Sequence, residues 1–192
     1  MKRLVAVLLV LSSALTLSAC SGDPLADQFR SGTNKNYISG DGSVTEFEGE
    51  KSTGADWVAE TFDGQILESK SLLGHVVVLN FWYAGCAPCR AETPDLAALA
   101  TQYESQGVQV VGVNVRDSAA TALAFARNHK LNYPSVMDIE SGAVVQAYTG
   151  VVSPSAVPTT LVINAKGQIT ARVLGRFEPS TLKSLIDTAI KG

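Results

Sequence analysis

The stretch from Val76 to Pro94, V-V-V-L-N-F-W-Y-A-G-C-A-P-C-R-A-E-T-P, constrains this chain more than any other. Its first seven residues are β-branched, aliphatic or aromatic apart from Asn80, the pattern of a strand buried on both faces. Cys86-Ala87-Pro88-Cys89 follows at once, and after it a helical pattern begins. A C-x-x-C at a strand-to-helix junction places the first sulfur beside backbone N–H groups that have no intrahelical partner. Those groups and the helix dipole stabilise a thiolate, so Cys86 is expected to be an exposed nucleophile with a pKa below the free value of about 8.5. Cys89, one turn inside the helix, can close a disulfide with it. Pro88 fits the first helical turn, where its missing N–H costs nothing.

The rest of the composition narrows the class. The chain has 192 residues, 46% hydrophobic and 17% charged, which describes a globular protein with room for one domain and some extra chain. Its formal charge of −3 gives no electrostatic reason to bind nucleic acid. Met1-Lys2-Arg3 is a short basic region, followed by an apolar run from Leu4 to Leu17, too short for a span of roughly 20 residues. Leu17-Ser18-Ala19-Cys20 resembles the bacterial lipobox. That resemblance implies a signal peptide over 1–19, cleavage before Cys20, and lipid on its sulfur and amine. It also accounts for the odd one of three cysteines. The alternative is an ordinary secretory signal with Cys20 incidental. Two or three acyl chains, at about 0.8 kcal/mol per buried CH₂, would hold the protein outside the cytoplasm on the cell membrane.

Residues 20–55 are rich in Ser, Gly, Asp, Asn and Thr and read as a tether with an r.m.s. span of about 30–35 Å. Tyr37-Ile38, Gly40-Asp41-Gly42 and Val44 to Phe47 form a weak hairpin signal, so an extension docked on the domain is the alternative. The domain itself is assigned to 56–192. Asp63-Gly64 marks a hairpin between Val58 and Leu67, and Ser69 to Leu73 a short helix closed by Gly74. A helix runs from after Cys86 to about Ser105, with Leu96, Leu99, Ala100 and Tyr103 on its apolar face, Pro94 inside it and Gly107 stopping it. Val108 to Val115 is the next strand, expected to run parallel to the first. A helix from Ser118 to His129 should bury Leu123, Phe125 and Ala126. Tyr133 to Met137 reads as a short strand and Val144 to Tyr148 as a turn or two of helix. Thr159 to Ile163 and Gln168 to Leu174 form a hairpin around Asn164 to Gly167, and an amphipathic helix from Pro179 to Ile190 closes the chain. This order predicts an α/β, three-layer α/β/α domain with a mixed central sheet and an N-terminal β-hairpin.

The domain resembles the TlpA/ResA branch of thioredoxin-fold proteins, which are membrane-tethered extracytoplasmic thiol-disulfide oxidoreductases. The resemblance rests on Asn80-Phe81-Trp82, Cys86-Ala87-Pro88-Cys89, Arg90, Glu92, Pro94, the insertion-like segment from Val115 to Asp138, and Val157-Pro158-Thr159. It implies a thioredoxin-like fold and a cis bond before Pro158. That bond would turn the Val157 backbone toward Cys86, where it could pair with an extended substrate. It also implies that Glu92 takes the proton of Cys89, because an amide at position 80 stands where thioredoxin has an aspartate. Cys86, Cys89 and Glu92 are then the catalytic candidates, and Trp82, Pro88, Val157 and Pro158 line the substrate site. The family's commonest role is reduction of the haem-attachment cysteines of apocytochrome c, recharged by a CcdA-like membrane electron donor; a monomer is expected. Gly85 departs from the bulky residue the family usually places before the first cysteine, opening the rim.

Other readings compete. A C-x-x-C could be a structural disulfide, but so small a loop stabilises little. Glu92 could simply be a solvated first-turn acid complementing the helix dipole, and Pro158 an ordinary trans loop proline. Zinc needs four ligands, and His75 and His129 lack ligand spacing; no cofactor beyond the cysteine pair is expected. A DsbA-like oxidant would share the motif and differ only in potential. A peroxiredoxin would need P-x-x-x-T/S-x-x-C, and Leu79 and Tyr83 occupy the relevant positions. A Sco-like copper module would need C-x-x-x-C, one residue more than is present, and a distant histidine.

Overall fold

The structure, a computed structural model, describes residues 43–47, 53–153 and 156–192. The signal segment, Cys20 and the Tyr37-Ile38 half of the weak hairpin lie outside these residues.

Among the described residues, eight strands and four helices follow the apolar pattern of the chain. They are β1 Val44–Glu46, β2 Val58–Glu60, β3 Ile66–Glu68, β4 Val77–Trp82, α1 Ala87–Tyr103, β5 Gln109–Asn114, α2 Ala119–His129, β6 Ser135–Met137, α3 Ala143–Ala147, β7 Thr159–Ile163, β8 Ile169–Leu174 and α4 Pro179–Lys191. Among the described residues the main sheet has the order β1-β8-β7-β4-β5-β6, and β2 and β3 form a separate antiparallel hairpin. β4 runs parallel to β5 and antiparallel to β7, so the sheet is mixed and β4 lies inside it. The architecture is the expected three-layer α/β/α thioredoxin-like fold with its small N-terminal hairpin.

Alternation along β4 separates two cores. Leu79 and Phe81 face the side occupied by Trp57, Val144 and Tyr148, while Trp82 joins Ala122, Phe125 and the two cysteines. Each fully buried Leu, Ile or Phe contributes about 1.5–3 kcal/mol of transfer free energy. Leu96 and Leu99 of α1 and Leu182, Leu185 and Ile186 of α4 are buried, and the Tyr103 hydroxyl donates to Asp187 Oδ1 at 2.7 Å across these helices. Pro94 lies inside α1 on its exposed side and does not end it. The helix gives way to a 3₁₀ turn, Glu104–Gln106, and Gly107 ends the helical segment at φ 74°, the left-handed conformation glycine adopts without penalty.

Two details depart from the sequence reading. β1 does not use a hairpin mate next to it; Val44, Thr45 and Glu46 pair with Val173, Arg172 and Ala171 of β8, so this part of the expected tether is docked on the sheet. In α2 the buried residue is Ala122, not Leu123, which is half-buried. The Ser118 cap, accepting from Thr121 N, sets the phase of this short helix, and Ala122 falls one residue before the expected position. Gly112 is also required by space. A Cβ there would sit 2.6 Å from Ser135 Oγ and 2.8 Å from Trp82 Nε1, which are hydrogen-bonded to each other at 2.8 Å.

Candidate active site

β4 delivers the chain to the C-terminal edge of the sheet, and the turn from Tyr83 to Cys86, closed by Cys86 N donating to Tyr83 O at 3.1 Å, reverses it into α1. Cys86 is the N-cap of that helix in extended conformation, and its Sγ accepts from Cys89 N at 3.2 Å. Pro88 stands in the first turn, on the exposed side. Cys86 and Cys89 are joined in a disulfide, their Cα atoms 5.3 Å apart. The helix opening therefore aims a backbone N–H at the first sulfur, the arrangement that favours a thiolate when the bond is reduced.

The expectation that Cys86 is exposed is not met. Its exposure is 3% and that of Cys89 is 2%. The cover comes from a distant loop: Val157, half-buried, packs against the cysteine cluster, and its carbonyl oxygen lies 3.9 Å from Cys86 Sγ. The Val157-Pro158 bond is cis, as expected. The loop is fastened on both sides, with Thr159 Oγ1 donating to Ala156 O at 2.6 Å and Gly175 N to Pro158 O at 2.8 Å. Trp82, expected to line the substrate site, is buried instead. Its indole donates to Ser135 Oγ and its ring lies 4.8 Å from that of Phe125, so it stands behind the disulfide as a wall.

Glu92 is the most unusual group of the site. It lies one turn beyond Cys89 with 1% exposure. Its Oε1 accepts from Asn80 Nδ2 at 2.8 Å, and its Oε2 accepts a longer bond from Phe177 N at 3.4 Å. Asn80 Nδ2 also donates to Thr160 Oγ1 at 3.0 Å, so the amide has a fixed orientation. Burial raises the Glu92 pKa from 4.5 to about 7. The bonds from Asn80 and Phe177 and the charge of Arg176 oppose the rise without cancelling it. The solvated first-turn role is thereby excluded. Arg176 itself pairs with Asp95 at 3.5 Å.

The fold thus gathers Cys86, Cys89, Glu92, Trp82, Val157 and Pro158 around the start of α1. His75 and His129 stay outside: the first lies 3.0 Å from Gly107 O through Nδ1, the second stacks on Phe125 at 4.1 Å. Among the described residues no group of three His, Cys, Asp or Glu side chains could hold a metal ion. Residues not singled out in the sequence also belong here. Asp117 Oδ2 accepts from Ala84 N at 2.6 Å and from Asn114 Nδ2 at 2.7 Å, and the Arg116 guanidinium lies 4.4 Å from the centre of the Tyr83 ring. The signal available was Asn114 at the C-terminal end of a parallel strand and Asp117 just past it, where open α/β sheets place their sites.

Comparison with known proteins fits this geometry. The sequence model of the AhpC/TSA family matches residues 50–172. Thiol-disulfide oxidoreductase ResA of Bacillus subtilis is 36% identical over 133 residues, covering 69% of this chain and 72% of that protein. The chain belongs to the AhpC/TSA family, as a ResA-like thiol-disulfide oxidoreductase. ResA of Geobacillus thermodenitrificans is 31% identical over 137 residues, covering 71% and 76% of the two chains. Among solved structures, a secreted thiol-disulfide isomerase from Corynebacterium glutamicum superposes with a TM-score of 0.71 at 26% identity, covering 81% of this chain and 97% of that one. A DsbF homologue from Corynebacterium diphtheriae gives 0.69 at 30% identity, covering 79% and 96%. Within the AhpC/TSA family, this ResA-like chain has Leu79 and Tyr83 where a peroxidatic site needs proline and threonine or serine; Leu79 is a fully buried strand residue.

Proposed function

We propose that this ResA-like protein is a lipid-anchored, extracytoplasmic reductant of protein disulfides, with the haem-attachment cysteines of apocytochrome c as the fitting client and a CcdA-like membrane protein as electron source. It acts as a monomer, held at the membrane through lipid on Cys20. The dithiol form begins the cycle. The Cys86 thiolate attacks one sulfur of the client disulfide, forming a mixed disulfide and expelling the other client sulfur as a thiolate. Glu92, as carboxylate, takes the proton of Cys89. The Cys89 thiolate then attacks Cys86 Sγ, breaks the mixed disulfide and releases the second client thiolate. Two electrons have passed to the client, and the protein is left with the Cys86–Cys89 bond. An extended client segment lies along Val157 and Pro158 with Pro88 at its border, and Trp82 backs the sulfurs.

The observation that carries the proton step is the burial of Glu92, which moves its pKa to about 7 and makes it a competent acceptor near neutral pH. Reductant work is tested by redox titration of the Cys86/Cys89 pair against glutathione or dithiothreitol. A potential near or below about −270 mV is expected; one near about −120 mV would make the protein an oxidant.

A further inference from the structure

The turn that carries Cys86 into its helix is held from outside, and the holder is a charged side chain. Gly85 contributes no side chain to fix the turn, although there is room for one: a Cβ at Gly85 would meet the Tyr83 ring at 3.4 Å, an ordinary contact. The hold falls instead to the two residues before it. Ala84 N–H points at Asp117 Oδ2 at 2.6 Å, and the Tyr83 ring lies under the Arg116 guanidinium at 4.4 Å. Asp117 is itself locked. Asn114, fully buried at the end of β5 and opposite Trp82 in the parallel ladder, donates through Nδ2 to the same Oδ2. Its Oδ1 accepts from Arg116 N at 3.2 Å and from Asp117 N at 2.8 Å. Adjacent strands β4 and β5 thus set the geometry at both ends of the clamp.

We propose that Asp117 is a positioning residue for thiol-disulfide exchange: by accepting the Ala84 N–H it holds Cys86 at the mouth of α1, where Cys89 N–H and the helix opening stabilise its sulfur. The inference rests on Cys86 being the attacking sulfur, and it separates two effects of opposite sign. As a charge, Asp117 disfavours a nearby thiolate; as an acceptor, it keeps the thiolate within reach of its donors. The other charged groups about the turn, Arg116 on the same loop and Arg90 and Glu92 within the helix, are untouched by the variants that test this.

The experiment is iodoacetamide labelling of the reduced full chain across pH 5 to 9, followed at the Cys86 peptide by mass spectrometry, with thermal unfolding of each variant as a folding control. D117A removes the acceptor and the charge, D117N removes the charge but keeps an oxygen able to accept both bonds, and D117E keeps the charge but moves the acceptor out by one methylene. At pH 6, D117A and D117E are expected to label Cys86 about tenfold more slowly than wild type, and D117N as fast or faster. If D117A does not fold, the contrast of D117N with D117E decides. A D117A or D117E protein labelling as fast as wild type, or a D117N protein as slow as D117A, overturns the proposal. A wild-type Cys86 with an ordinary thiol pKa overturns the assignment of the nucleophile itself and this inference with it.

Discussion

Replacing Glu92 by glutamine isolates the cost of burying its charge. The folded pKa of about 7 against 4.5 in the unfolded chain means the native state binds more protons between these values. The stability linked to Glu92 is therefore complete below pH 4.5, declines as pH rises and is lost above about pH 7. At 1.36 kcal/mol per unit, the full decline is about 3 kcal/mol. In E92Q the neutral amide has nothing to titrate. The glutamine side chain still offers an oxygen to Asn80, but its NH₂ faces the Phe177 N–H, a penalty that does not vary with pH. The difference in unfolding free energy, wild type minus E92Q, should thus fall by about 3 kcal/mol between pH 4.5 and 8, whatever its offset. Urea unfolding of the oxidised protein at four or five pH values measures it, because other titrating groups cancel in the difference. A flat difference across that range would refute the buried-acid argument. Wild type is expected to resolve a mixed disulfide faster as pH rises through 7, and the same variant should lose that rise.

Three further outcomes are expected. C89S, mixed with a protein disulfide, should accumulate a covalent adduct through Cys86 that dithiothreitol releases, seen as a band on a non-reducing gel; absence of an adduct would remove Cys86 as the attacking sulfur. Gly112→Ala should lower stability by about 1–3 kcal/mol in urea unfolding, because its methyl group overlaps the Trp82–Ser135 hydrogen bond at 2.6 and 2.8 Å. C20A, expressed in a bacterial host, should leave the membrane fraction while its dithiol remains fully active; retention on the membrane would refute lipid anchoring at that residue.

What could be read from the sequence was local. β4 and the C-x-x-C that follows it declare themselves through neighbouring residues, and β7 keeps its expected bounds because a run of strand-forming residues ends at Asn164-Ala165-Lys166-Gly167. The same holds for α4, where Leu182, Leu185, Ile186 and Ala189 recur at helical spacing and are all buried. What escaped was set by contacts far apart in the chain. Cys86 is covered by Val157, 71 residues away, and no pattern around the cysteine announces that. The partners of Glu92 come from Asn80 on β4 and from Phe177, 85 residues on. Asp117 acquires a role only where the fold brings Ala84 N, 33 residues earlier, against it. The docking of β1 belongs with these: three residues of alternation make a faint signal, and their ladder partner lies near the other end of the chain.

That docked strand has a practical side. β8 alternates Ile169, Ala171 and Val173 inward, and its outer backbone groups are satisfied by Val44 to Glu46, with Arg172 reaching Thr45 Oγ1 at 3.3 Å. Trimming the polypeptide to the apparent start of the domain near residue 56 would expose this edge along its length. A bare, regular edge of this kind recruits whatever strand it meets, commonly another copy of itself. Anyone shortening the protein for solution work should begin upstream of Val44, or expect aggregates that say nothing about the native molecule.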